Sequence, residues 1–351
     1  MKFKQTFIIT LVIIFLFSCN NKDYKYYIDS KNPKHEELKK LFPLLNKYTD
    51  YDGNRFTVMD KIITNMIKNS EPGDLRLFIT DYINNNQNDP YITYYLLSLA
   101  SSYLINGENN LAIPLLHKSV MLYKDLIING ESTHLNALQT LVGLTADDNM
   151  KIVYYKKIIN EHSDRVNLGE IYYYLGKTLD KVEKWDEAIK AYEKYLDYPY
   201  TTIKSEPSAR DNTLQKVGFY YSDKTWVVKD LDTLVQRVKY AISTKNATQL
   251  DRYRAYDFFI INWKSKFSDL KSSYPMESYV LTNMNLKTGN ELDPMSTENE
   301  AYLAVNGSPW SSSIWYVYPT WYFYFRKVDF PKDPEIHGGW EWEGIYLGEK
   351  L

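Results

Sequence analysis

Apolar residues recur at helical spacing from about residue 56 to residue 199. Ile171, Leu175 and Leu179 fall on one face of a predicted helix, and Ala188, Ile189, Tyr192, Tyr195 and Leu196 on one face of the next. Such i, i+3, i+4 recurrence predicts amphipathic helices, and short polar breaks predict that they come in antiparallel pairs. Leu99, Ala100 and Tyr103 with Ala112, Ile113 and Leu116 form an earlier pair. Leu135, Leu138 and Val142 with Ile152, Tyr155, Ile158 and Ile159 form a middle one, preceded by a long linker at residues 129–133. Residues 56–68 and 74–85 predict a weaker pair that caps the array's start. Residues 201–212, polar and carrying Pro207, read as a linker.

Beyond it Leu231, Leu234, Val235, Val238, Ala241 and Ile242 share one helix face, with Asp230 or Asp232 placed to cap its start. A short helix follows at residues 249–254, extended by 258–263. The period then shifts towards two, and residues 277–284, 302–306, 315–318, 321–328 and 340–347 read as strands, with turn signals at Asn306-Gly307-Ser308 and Gly338-Gly339. The fold class expected is a mainly α amino-terminal half of stacked helix hairpins, then a smaller α+β domain with an antiparallel, aromatic-rich sheet. On the strand at residues 340–347, alternation places Trp340 and Trp342 inward with Trp321, Phe323 and Phe325, and turns Glu341 and Glu343 outward.

The pair at residues 168–199 resembles a tetratricopeptide repeat. Leu175-Gly176 matches that family's close helix contact, Ala188 the small residue opposite, Tyr192 its aromatic, and Pro199 its terminating proline, one residue early. Leu99-Ala100 and Ala112-Ile113 occupy the corresponding places upstream, while Lys151 replaces the small residue of the middle pair. Pro114 is expected in the first turn of its helix, where no amide bond is lost. The resemblance implies a solenoid whose concave side docks peptides or proteins. The candidate groove positions are Leu97 and Ser101 in one unit and Tyr173 and Lys177 in the other, and the family's basic clamp for carboxylates is not evident among them. The later domain resembles small cone-shaped domains in which helices cover a curved sheet.

The amino terminus gives an address. Lys2 and Lys4 precede an apolar run at residues 7–17, too short for a membrane span and right for a signal-peptide core. Leu16-Phe17-Ser18-Cys19 resembles a bacterial lipobox, although Phe17 is bulkier than the family usually accepts. The resemblance implies cleavage before Cys19, palmitate-type acyl chains on that residue, and stable anchoring in a bacterial envelope membrane. Asn20, which follows, leaves the inner and outer membranes equally open. The expected organisation is therefore a signal peptide at 1–18, lipidated cysteine and tether at 19–44, repeats at 45–205, and the α+β domain at 213–351.

Composition narrows the chemistry. Lys plus Arg number 42 against 44 Asp plus Glu, for a net charge of −2, so nothing points to nucleic acid as a partner. Cys19 is the only cysteine, which removes disulfides and thiolate-rich metal sites. Asp329, Asp333, Glu335 and His337 share no recognised ligand spacing, and His35-Glu36-Glu37 lacks the second histidine of a zincin. No phosphate loop or serine-nucleophile motif is present. No catalytic residue, cofactor or metal is therefore expected. The reading is a membrane-anchored protein-interaction scaffold. The alternative is an envelope carbohydrate-binding protein or hydrolase using the aromatic sheet, where Glu341 and Glu343 would be the carboxylate pair.

Overall fold

The computed structural model describes residues 24–28, 31–69, 72–263, 277–306 and 320–348. It divides into two compact units, residues 1–165 and 166–351. Strand 315–318 and the turn at 307–308 lie outside the described residues, as do residues 1–23 with the lipobox.

In the first unit, seven helices are described: α1 (Glu36–Lys47), α2 (Gly53–Asn69), α3 (Pro72–Asn85), α4 (Ile92–Ile105), α5 (Asn109–Leu122), α6 (Thr133–Leu144) and α7 (Asp148–Glu161). Each packs on the next, and α4 also packs on both α2 and α6, so the leading helices of three successive pairs lie side by side. Small residues suit a close approach within the second pair: Ala100 and Ala112 are fully buried, as Leu96, Leu99 and Leu116 nearly are. Ser132 and Asp147 cap α6 and α7, accepting the amide protons of Leu135 at 3.0 Å and Asn149 at 2.9 Å. Pro114 sits a turn deeper in α5 than expected, because the helix already begins at Asn109. The long linker before α6 is a miniature hairpin, β1 (Ile127–Ile128) and β2 (Glu131–Ser132). Asn129 and Gly130, at φ 53° and 84°, supply the left-handed pair such a tight turn requires.

Part of the stretch expected to be a tether is folded onto the helices. Residues 24–27 form a 3₁₀ turn, and Tyr27 packs between Phe42 of α1 and Phe78 of α3 with its hydroxyl donating to Asp81. Helix α1 itself buries Leu38, Leu41, Phe42 and Leu45.

The second unit opens with α8 (Leu168–Lys181) and α9 (Trp185–Leu196), which pack closely along their lengths. A Cβ on Gly176 would stand 2.7 Å from the Tyr192 ring, and that ring is pinned by its hydroxyl donating to Asp180 at 2.8 Å. Gly176→Leu is expected to cost at least about 1–3 kcal/mol, since Tyr192 has no room to retreat. Gly143→Ala in α6, where a new Cβ meets nothing within 4 Å, is expected to be neutral or slightly stabilising. Thermal melts of both variants check the contrast, and a parent-like melt for Gly176→Leu would refute the contact.

Helix α10 (Ala209–Tyr221) begins inside the stretch expected to be a linker. Then come α11 (Leu231–Ser243), capped by Asp230 at 2.7 Å from the Thr233 amide, and α12 (Ala247–Asp251). Strand β3 (Arg254–Asn262) replaces the expected helical extension, and α13 (Ser278–Asn283) replaces an expected strand. Strands β4 (Lys287–Thr288), β5 (Glu300–Asn306), β6 (Thr320–Lys327) and β7 (Trp340–Leu347) complete a sheet of order β3-β7-β6-β5-β4.

This sheet is mixed. Strands β4 to β7 pair antiparallel, but β3 runs parallel to β7. Because β3 and β7 are joined through the whole rest of the domain, the connection is long enough for parallel pairing. One face carries Trp321, Phe323, Phe325, Trp340 and Trp342, as expected, packed under α11, α12 and α13. The register of β7 slips at Glu343 and Gly344, so Ile345 and Leu347 rejoin that face. Gly344 is required there, since a Cβ would lie 2.7 Å from the Phe259 carbonyl oxygen. The opposite face is also buried, by Phe259, Ile261, Trp263, Tyr302, Tyr322, Tyr324 and Tyr346.

Candidate functional site

Leu97 and Ser101 lie on α4 facing a groove of about 560 Å³ in the first unit. Its walls come from the leading helices α2, α4 and α6 and from the Asn129 hairpin, so stacking of the pairs creates it. Leu97 is half-buried and Ser101 exposed, beside Ile67 and Tyr94. The Tyr94 hydroxyl donates to Asp60 at 2.5 Å, and burial together with that bond pushes its pKa up to about 12. It stays a neutral donor across physiological pH. At the hairpin, Asp125 accepts from the Ser132 and Thr133 hydroxyls at 2.7 and 3.0 Å and from the His134 amide at 2.9 Å. Burial opposes its ionisation, yet these donors hold the carboxyl below its usual range. The hairpin edge of the groove is thus fixed by a charged anchor.

Tyr173 and Lys177 lie on α8 in the second unit. Both are bonded to Glu206, which accepts from the tyrosine hydroxyl and pairs with the ammonium group. Lys177 also rests 5.6 Å from the Tyr173 ring centre. The Lys177 bond, then the Tyr173 bond, lowers the Glu206 carboxyl below its usual range. The structure brings Leu97 together with Ser101, and Tyr173 with Lys177, each pair inside its own unit. Nothing in the sequence marks Glu206, within the supposed linker, as the partner of the second pair.

A second polar arrangement lies on the sheet. Glu341, expected to face solvent, is only 2% exposed. One of its oxygens accepts the Trp226 indole proton at 2.9 Å and the other pairs with Arg326 at 3.0 Å. Arg326 reaches Glu343 with its other terminal nitrogen at 3.1 Å. Alternation along β7 does turn Glu341 away from Trp340 and Trp342, but that side is covered too. Burial opposes the charge on Arg326, and Glu343 followed by Glu341 more than restores it. Two carboxylates shared by one guanidinium form an ion-pair floor, which supplies no free acid for glycoside hydrolysis. Nearby, Asp186 accepts from both Lys332 and Tyr220, tying the β6–β7 connection to α9 and α10. His337 accepts the Phe330 amide at 3.2 Å, and among the described residues no group of three or more His, Cys, Asp or Glu is arranged to hold a metal ion.

No protein-family model matches this chain, and no curated protein does. Among solved structures the chain is similar to MamA, with 24% identity over 50% of this chain and 91% of that one, at a TM-score of 0.26. A score that low carries no argument about fold or function.

Proposed function

We propose that this chain is a bacterial envelope lipoprotein, anchored through acylated Cys19, whose tetratricopeptide-like helix pairs dock a protein partner without catalysing a reaction. The observation that carries the docking role is the open groove across α2, α4 and α6, lined by Leu97 and Ser101. Its dimensions suit an extended peptide segment, and its walls mix apolar side chains with hydroxyls and amides. The buried small residues at Gly176, Ala100, Ala112 and Ala188 support the repeat assignment. The lipobox residues support the anchor.

A photo-crosslinking residue at Ser101 is expected to capture a discrete partner in intact cells, whereas the same residue at Lys118, exposed on α5, captures none. Equal capture from both sites would refute the groove. In parallel, Cys19→Ala is expected to abolish fatty-acid labelling and detergent-phase partitioning, since the sulfur is the attachment atom. Retained labelling in that variant would refute the anchor while leaving the groove standing.

A further inference from the structure

Helix α10 forms the common wall of two adjoining clefts in the second unit. The first, about 400 Å³, lies between the start of α9, α10 and the β6–β7 connection; the second, about 790 Å³, runs between α10 and the sheet above the Arg326 floor. Lys216, Phe219 and Asp329 line both, so the two are arms of one trench. Each arm has the size of a small-molecule site, and together they accommodate a chain of several rings.

The lining selects the kind of chain. Trp185, Tyr220 and Phe330 line the first arm, and Tyr256, 54% exposed, lines the second. The Tyr256 ring is held by Gly218, where a Cβ would stand 2.5 Å from it, and stacks on Trp226 at 6.4 Å. These are rigid aromatic surfaces for apolar C–H faces. Between them the cations are paired locally: Lys216 with Asp180, Lys332 with Asp186, and Arg326 with both Glu341 and Glu343, three cations against four carboxylates. With Lys181, Lys327, Glu183, Asp257 and Asp329 added, the whole lining keeps a slight excess of carboxylates, which disfavours a polyanion and is too small to select a polycation. Hydroxyl groups, which both donate and accept, can bridge such pairs and also reach the amides of Asn212 and Gln215.

We propose that this trench binds a neutral oligosaccharide, its sugar rings stacking on Trp185 and Tyr256 and its hydroxyls bonding to the ion pairs between them. This role is additional to the docking role of the first unit, and neither depends on the other. The test uses the detergent-solubilised full chain, labelled on lysine-free sites, on a printed array of neutral and anionic glycans, followed by calorimetric titration of the best neutral ligand at low and high salt. Binding to neutral glycans of three or more rings is expected, with affinity unchanged by salt. Tyr256→Ala and Trp185→Ala are each expected to weaken it at least tenfold while retaining the parent's circular dichroism spectrum. Ser101→Trp, in the first unit's groove, should leave it intact. Absence of any neutral ligand, preference for anionic glycans, or binding indifferent to both aromatic variants would overturn the proposal. So would capture of a random-peptide pool that Tyr256→Ala abolishes while no glycan binds.

Discussion

Truncating Trp342 to alanine is expected to cost roughly 3–5 kcal/mol, a large part of a typical domain's stability. Trp342 is fully buried near the start of β7, with Phe258 and Phe323 ring centres at 4.6 and 4.9 Å. Strand β7 joins β3 to the antiparallel strands, so the cavity would open where both halves of the sheet meet. Trp342→Phe offers an internal comparison. Among the described residues the buried Trp342 indole nitrogen has no hydrogen-bond partner, and losing an orphan donor recovers about 1–3 kcal/mol of desolvation. The phenylalanine variant should therefore lose far less stability than its smaller volume alone implies. Denaturant melts followed by circular dichroism read both, and a parent-like midpoint for Trp342→Ala would remove this residue from the core.

Glu341→Ala should destabilise by roughly 2–3 kcal/mol, because it strands the Trp226 indole proton and half of the Arg326 pairing in a covered site. The full penalty of a broken buried ion pair is not reached, since the Arg326 side chain remains 49% exposed. A double-mutant cycle with Trp226→Phe isolates the indole bond, with an expected coupling of about 0.5–3 kcal/mol. Zero coupling would mean that the 2.9 Å contact contributes nothing to stability.

Glu341 also shows how far the sequence could be read. Period-two alternation assigned its side of the strand correctly, yet alternation alone does not say whether that side is wet. The tyrosines at 302, 322, 324 and 346 sit on the same side and are buried with Trp263 and Phe259. The run Phe258-Phe259-Ile260-Ile261 is apolar on both sides because β3 is covered on both, and so short a run fits helix or strand equally. Residues 278–283 show the opposite failure: Tyr279, Val280 and Thr282 favour a strand, but packing against α11 and α12 makes a helical turn. Strand direction left no trace in the periodicity at all. The helix pairs were legible because both their spacing and their small contact residues are local. Leu97 and Ser101 could be placed by repeat alignment, whereas the trench joins residues from α9, α10, β3 and the β6–β7 connection. Helix α10, its shared wall, buries only Ala209 and Thr213 fully, so it lacks the apolar stripe that would distinguish it from a linker.

For a chain anchored at Cys19 as proposed, the seating of Tyr27 on Phe42 and Phe78 would set a radius of action for the first unit. From Cys19 to Tyr27 the chain spans eight residues, at most about 28 Å when fully extended. On the proposed acylation of Cys19, that length would be the leash, because Tyr27 is packed on α1 and α3. A leash of this length would confine α1 and α3 to the vicinity of the headgroups and would raise the local concentration of ligands displayed there. It would also put freely diffusing partners at a disadvantage against those already held at the same membrane.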